Sequence, residues 1–240
     1  MRVLGLDTAL GALSVAVVED GRVLAAAFEE MVRGQAELLA PMVARVLQDA
    51  GIDCAALDRI AVTTGPGTFT GQRVGLAFAR GLALSRDVPC VGVTTLHAMA
   101  HEAHARVPGA AIHVAASDAR RSEAYAQMFA AHGENISAMS APVLLSHDAL
   151  IARVRELLMA HRVVVSGTAS AFIAAALGNV PGLAVSGITQ PHARHVALIG
   201  AALDPATSPP LPLYLREADA KLPGPPKPLP AKPSPARRRS

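Results

Sequence analysis

Apolar residues along the first third of the chain fall into short runs that alternate with turn residues. Arg2 to Leu6, Leu13 to Val18 and Val23 to Phe28 read as three strands, and Asp20-Gly21 is a strong hairpin pair between the second and third. The period then lengthens. Over Gln35 to Asp49 the residues Leu38, Leu39, Met42, Val43, Val46 and Leu47 recur at helical spacing, and Gly51 closes the segment. Ile60 to Thr64 is a strand, Thr68 to Ser85 a helix, Cys90 to Val93 a short strand and Thr95 to Arg106 a helix. The second half repeats this order loosely. Strands are expected at Ile112–Ala116, Ala124–Ala130 and Ala141–Leu145, a helix from Ser146 to Met159, a strand at Val163–Val165, and helices at Ala169–Leu177 and His192–Leu203. Each half is thus strand-strand-strand-helix-strand-helix, and Asp7 and Asp118 close the first strand of each.

The densest feature is Gly65-Pro66-Gly67-Thr68-Phe69-Thr70-Gly71-Gln72-Arg73-Val74-Gly75, where a strand enters a glycine turn and a helix leaves it. Such a turn at a helix start can present backbone N–H groups to an anion. It can equally be a tight connection whose glycines let elements pack closely. No phosphate-loop lysine pattern is present to decide between them.

As a word, this stretch resembles the signature of the bacterial TsaB (YeaZ) family, a partner subunit in making threonylcarbamoyladenosine at position 37 of tRNA. Val3-Leu4-Gly5-Leu6-Asp7-Thr8-Ala9, Val91-Gly92-Val93-Thr94-Thr95-Leu96, Ser117-Asp118-Ala119-Arg120 and Pro212-Leu213-Tyr214-Leu215-Arg216 follow the family's order, so the resemblance covers about residues 1 to 216. One departure is Arg33-Gly34-Gln35, where family members often carry Arg-x-His.

The resemblance implies a duplicated α/β fold of the actin, Hsp70 and sugar-kinase class. Its two small lobes would span residues 1–107 and 108–216, the last helix packing back on the first lobe, and 217–240 would be a disordered tail. In that class, loops after the first hairpin strands hold nucleotide phosphates. Asp7, Thr8 and Asp118 are therefore the residues that would serve a nucleotide if one binds. Against this, the first loop, Thr8-Ala9-Leu10-Gly11, lacks paired glycines, and Ser166-Gly167-Thr168-Ala169 places an alanine where a base would need room. On the plainer reading both aspartates hydrogen-bond turns. The resemblance further implies a chain that is not catalytic alone and carries no cofactor. It would pair with a TsaD-like subunit, or with a second copy of itself. A TsaE-like ATPase would bind that pair, and tRNA would be reached through the complex. The contacts implied are Leu38, Leu39, Met42 and Val43 of the first helix, and Gly71, Arg73, Val74, Gly75 and Phe78 of the second. The apolar positions on these helices span more than the single stripe a small domain buries. The rival expectation is a small ATP-binding ATPase or kinase built on Asp7 and Asp118.

Composition narrows the field further. With no tryptophan and 3% aromatic residues, a stacking platform for single-stranded nucleic acid is not expected. Cys54 and Cys90 have no metal or redox spacing. His97 and His101, four apart with His104 nearby, resemble the His-x-x-x-His pair of TsaD. No downstream aspartate completes such a site, so they are expected to be an exposed pair without metal. Neither a signal peptide nor a membrane-spanning run is visible, and a cytoplasmic protein is expected. The net charge of +3 is uneven. Lys221, Lys227, Lys232, Arg237, Arg238 and Arg239 face no acid after residue 220, and removing them leaves −3 on residues 1–220. With seven prolines, that tail reads as a solubilising extension or as an electrostatic arm for tRNA.

Overall fold

The computed structural model describes residues 1–216, so the expectations for the basic tail lie outside the described residues. The first half folds as β1 (Arg2–Asp7), β2 (Ala12–Glu19), β3 (Arg22–Glu30), α1 (Gln35–Asp49), β4 (Arg59–Thr63), α2 (Phe69–Arg86), β5 (Cys90–Val93) and α3 (Thr95–Arg106). The second half gives β6 (Ile112–Arg120), β7 (Glu123–His132), β8 (Asn135–Ala138), β9 (Val143–Ser146), α4 (His147–Leu158), β10 (Val163–Ser166), α5 (Ser170–Leu177), β11 (Leu183–Val185) and α6 (Ala193–Ala202). The sheet orders are β3-β2-β1-β4-β5 and β11-β10-β6-β7-β8. Read from opposite ends, the two are one topology used twice: a meander of three antiparallel strands extended by parallel strands beside its first member. This is the duplicated actin-like architecture.

Local chemistry accounts for most boundaries. Asp20 (φ 47°) and Gly21 (φ 82°) form the tight β2–β3 turn, both in the left-handed region. Thr68, Thr94 and Ser146 cap α2, α3 and α4, their hydroxyls accepting from the N–H of Gly71, His97 and Ala149. The second half departs from the expected pattern at its third strand. Instead of one strand at 141–145, β8 and β9 both pair with β7, one after the other. β8, Asn135-Ile136-Ser137-Ala138, is too short and polar to show a period. β11 adds a strand the sequence pattern does not signal, because three residues carry no alternation.

One face of the first sheet is covered by α1 and α2. Leu39, Met42, Val43, Val46 and Leu47 of α1 pack with Leu4, Leu6, Leu13, Val15, Val17, Leu76 and Ala79. Each leucine, valine or methionine side chain buried there contributes about 1.5–3 kcal/mol. The other face is covered by α6, from the far end of the chain. Val196, Ala197 and Ile199 pack on Val3, Val18, Ala61, Val91 and Val93. Gly5 makes this possible, since a Cβ there would lie 2.2 Å from the Ala193 carbonyl oxygen. Arg59 on β4 caps the other end of α6, donating through Nη1 to the carbonyls of Gly200 and Leu203, both at 2.7 Å.

The helices at the junction are exchanged between halves. α3 packs on the second sheet, with Leu96, Met99, Ala100 and Ala103 against Ala115, Phe129 and Val164. α3 and α6 also pack on each other, joined by Glu102, whose carboxylate is fully buried. Burial alone would raise that carboxyl, but the His192 hydrogen bond and the charges of His192, His195 and Arg106 outweigh it and hold it below the usual range. Its partners are His192 Nδ1 (2.6 and 2.8 Å), Arg194 Nη2 (2.9 Å) and Arg106. Among the described residues no helix is long and apolar enough to cross a membrane.

Gly5→Ala forces backbone apart and is expected to cost about 1–3 kcal/mol in urea unfolding. Gly81→Ala, with nothing within 4 Å of its added Cβ, is expected to gain about 0.4–1 kcal/mol. Burial first of all depresses His97 and His113 to about 4 and His195 to about 3. Their neutral forms therefore stabilise the fold fully above the ordinary histidine value of 6.5, and this is lost as pH falls toward 4. Stability should fall over that window, and His113→Gln should make the slope shallower by up to about 1.4 kcal/mol per pH unit.

Candidate functional site

The glycine signature is bound to the chain's own first loop. A Cβ on Gly67 would stand 2.3 Å from the Ala9 carbonyl oxygen, and one on Gly71 would stand 2.1 Å from that of Thr8. Across this contact Thr68 N–H donates to Ala9 O (2.8 Å) and Thr8 Oγ1 donates to Gly71 O (2.6 Å). The loop is also tied to α3, because Thr95 donates from N–H to Gly65 O and from Oγ1 to Pro66 O. Gly67 and Gly71 thus permit backbone-to-backbone approach inside the chain, and the loop's space is filled by protein.

Asp7 and Thr8 lie beneath this contact, at 0% and 1% exposure. Asp7 Oδ1 accepts from Thr63 Oγ1 (2.6 Å) and from Ala9 N–H (3.2 Å), and Oδ2 is buried without a partner. Burial raises its carboxyl to about 7, against the smaller opposing effects of those two hydrogen bonds and of His192. Asp118 is half exposed and lines a cleft of about 320 Å³ with Leu10, Gly67, Thr68, Arg120 and Tyr125. The structure does not bring Asp7 and Thr8 to that cleft with it. Four of the loop N–H groups are paired within the protein. Ala9 donates to Asp7, Gly11 to Gln190 Oε1 (3.0 Å), Asp118 to Thr168 Oγ1 (2.9 Å) and Arg120 to Asp118 Oδ1 (3.0 Å). Ala169, read as crowding a base, is fully buried and donates its N–H to Ala116 O. The β6–β7 turn is strained, with Arg120, Arg121 and Ser122 all at φ near 60°. Arg216 holds it, donating to Ala119 O (2.9 Å) and pairing with Glu123.

His97 and His101 are not the exposed pair expected. His97 is half-buried and stacks on Phe129 with ring centroids 5.1 Å apart, while His101 Nδ1 meets His195 Nδ1 at 2.9 Å. The helix places them on one face, but packing turns each toward a different neighbour. Among the described residues no group of three or more His, Cys, Asp or Glu is arranged to hold a metal ion.

The helices α1 and α2 divide the expected contact residues. Leu39, Met42, Val43, Gly71 and Gly75 are buried in the chain's own fold. Leu38 and Arg73 are exposed, and Val74 and Phe78 are partly buried between core and surface. The structure adds residues that sequence reading missed. Along α2 the outward positions are Phe69, Arg73, Ala77, Arg80, Gly81 and Leu84, with Phe69 54% and Leu84 85% exposed. Arg73 lies over the Phe69 ring at 3.5 Å and donates from Nε to Tyr214 Oη at 3.0 Å. Phe69 and Tyr214 are themselves 5.7 Å apart. Period 3.6 signals Phe69 and Leu84 on one stripe, but nothing local signals Tyr214. A groove of about 390 Å³ between the starts of the helices is lined by Val32, Arg33, Gln35, Thr70 and Val74. Gln35, at the family's frequent histidine position, donates to Met31 O at 3.2 Å.

Comparison with known proteins places this geometry. A family model described as TsaD, tRNA N6-adenosine threonylcarbamoyltransferase, matches residues 27–207. The tRNA threonylcarbamoyladenosine biosynthesis protein TsaB of Escherichia coli K12 is 39% identical over 151 residues, 60% of this chain and 64% of that protein. The tRNA N6-adenosine threonylcarbamoyltransferase of Nitratidesulfovibrio vulgaris is 34% identical over 113 residues, 41% of this chain and 31% of that protein. The chain therefore spans just under two thirds of the first relative and under a third of the second. Among solved structures, YeaZ from Pseudomonas aeruginosa superposes with a TM-score of 0.72 at 30% identity, covering 89% of this chain and 99% of that one. A protein described as similar to peptidase YEAZ, also from Pseudomonas aeruginosa, gives 0.75 at 30% identity over 90% and 99%. Matched by the threonylcarbamoyltransferase family model over most of its length, and by YeaZ over nearly the whole of that structure, the chain belongs to the TsaB/YeaZ family.

Proposed function

We propose that this protein is the non-catalytic dimerisation subunit of a tRNA N6-threonylcarbamoyladenosine-37 synthesis complex, binding a TsaD-like transferase and holding it in a competent shape. The observation that carries the reading is the outward stripe of α2. An exposed phenylalanine, arginine and tyrosine are held against one another at one end, followed by small residues and Leu84. Aromatic residues and arginine are the side chains that dominate association energies. Ala77 and Gly81 leave room for a partner helix to approach closely. Leu38, Val74 and Phe78 continue the face toward α1. The enzymatic reading is disfavoured by the pairing of the Ala9, Gly11, Asp118 and Arg120 N–H groups within the chain and by an Asp7 that does not line the cleft beside Asp118. In this proposal a TsaE-like ATPase binds the assembled pair and tRNA is reached through the complex. A second copy of this chain is the alternative occupant of the same face.

The test is reconstitution of threonylcarbamoyl transfer to tRNA with TsaC, TsaD and TsaE partners, with this chain added or left out. Modification should depend on its addition, and full activity without it would sink the reading. Val74→Glu and Arg73→Glu, at positions that reach the surface, should weaken binding to the TsaD-like subunit by about 30-fold or more while leaving the fold intact by circular dichroism. A variant at Leu39 would report only unfolding, because that side chain is core.

Asp7→Asn separates the two readings. With its carboxyl raised above the unfolded value, Asp7 contributes stability below the ordinary carboxylate range that is lost as pH rises through about 7. The variant should therefore remove that loss and be more stable than the parent at pH 8 in urea unfolding, with modification unchanged. Abolished modification in a stably folded Asp7→Asn protein would instead favour nucleotide chemistry.

A further inference from the structure

On the α6 side of the first sheet, away from α1 and α2, lies a cavity of about 240 Å³ between β2, β3, the end of α3 and the start of α6. One wall is apolar: Phe28, 39% exposed, with two alanines of β3. The other carries Arg106, His192 and Arg194. All three cationic or imidazole side chains are anchored from behind by the one buried carboxylate of Glu102. We propose that this cavity is a binding site for a small organic anion, with a phosphate or carboxylate head on the two guanidinium groups and a short apolar body against Phe28.

The donor inventory supports an anion rather than a cation. A guanidinium has five N–H donors. Arg194 gives Nη2 to Glu102 and Nε to His195 Nε2 (3.1 Å), and Arg106 gives Nη2 to Glu102. Further donors remain on each side chain, and the side chains are 48% (Arg106) and 40% (Arg194) exposed. The His192 ring is fixed on both sides, by Glu102 at Nδ1 and by the Phe28 ring, whose centroid is 4.4 Å away at a steep angle. Ser14 spends its proton on Ala27 O and accepts from Ala193 N–H, so its hydroxyl adds no donor to the cavity. Glu102 is consumed by these cations, and Asp7, on the same face of the sheet opposite Ser14, does not line the cavity. The start of α6 adds the positive end of its dipole to the same space. Two arginines from different helices, pre-set by a buried carboxylate, are suited to forked recognition of phosphate or carboxylate. The volume limits the guest to a small molecule.

The inference is independent of the partner reading, since the cavity and the α2 stripe lie on opposite sides of the first sheet. The full chain would be titrated at constant ionic strength with inorganic phosphate, phenyl phosphate and benzoate, following the arginine Nε–H signals by NMR. Saturable shifts of the Arg106 and Arg194 signals with phenyl phosphate or benzoate are expected, phenyl phosphate binding about tenfold tighter than inorganic phosphate. Arg194→Gln should weaken binding about tenfold. Phe28→Ala, on an exposed strand edge, should keep the fold and reduce phenyl phosphate to the affinity of inorganic phosphate. Non-saturating shifts, shifts spread over all arginines, or no preference for the organic anions would overturn the site.

Discussion

The structure turns on one close contact, where the backbone of Gly67 to Gly71 lies against that of Thr8 and Ala9. Its effects run in two directions. Toward the core, it fixes the first residues of α2, since Thr68 both caps the helix and donates to Ala9 O, so the direction of an 18-residue helix is set at its start. Toward the junction of the halves, it occupies the space beside Asp7 and Thr8 where an actin-like protein would receive phosphate. A side chain at either glycine would separate the two backbones and would therefore disturb the helix and the loop together. That is the physical content of so specific a run of residues: Gly67 and Gly71 each answer to a carbonyl oxygen in another loop.

The second constraint is the exchange of α3 and α6. Each helix covers the sheet of the other half, so neither sheet is complete without chain from both. Glu102 sits where they cross. A buried carboxylate is costly unless its oxygens are fully used, and here four side chains from the two helices surround it. The arrangement makes the relative position of the halves depend on charge as well as on apolar packing. It also explains why histidines accumulate at this junction. The neutral imidazoles fill space between the layers, His97 against the Phe129 ring, and His113 and His195 while still meeting polar neighbours.

Much of this was legible in the sequence, for reasons that can be named. Asp20-Gly21 specified its turn because both positions need positive φ. The buried stripe of α1 followed its period, and the signature word carried the family. What failed to show was non-local. Period tells which residues share a helix face but not what the face meets, so Leu39, Met42 and Val43 read as partner contacts although they contact the chain's own sheet. Tyr214 joins Phe69 and Arg73 from 141 residues beyond the arginine. Glu102 gave no signal, because a single glutamate in a helix usually lies on a solvated face. The nucleotide question divides in the same way. Missing glycines in the first loop were readable, whereas the capture of the Gly11 N–H by Gln190 required the fold.

These observations bear on how an actin-like frame can serve recognition. A loop that binds phosphate must keep its N–H groups unspent, which leaves it partly unfolded or hydrated until ligand arrives. Here four such groups are satisfied within the chain, and two hydrogen bonds bind the first loop to the start of the helix that carries the face. A rigid helix presents its outward side chains with little ordering cost on association. Arg73 is a case in point, since its guanidinium already lies over Phe69 and is hydrogen-bonded to Tyr214. The long side chain is held by two contacts before any partner arrives. The interactions that close the loop are thus the same ones that prepare the face.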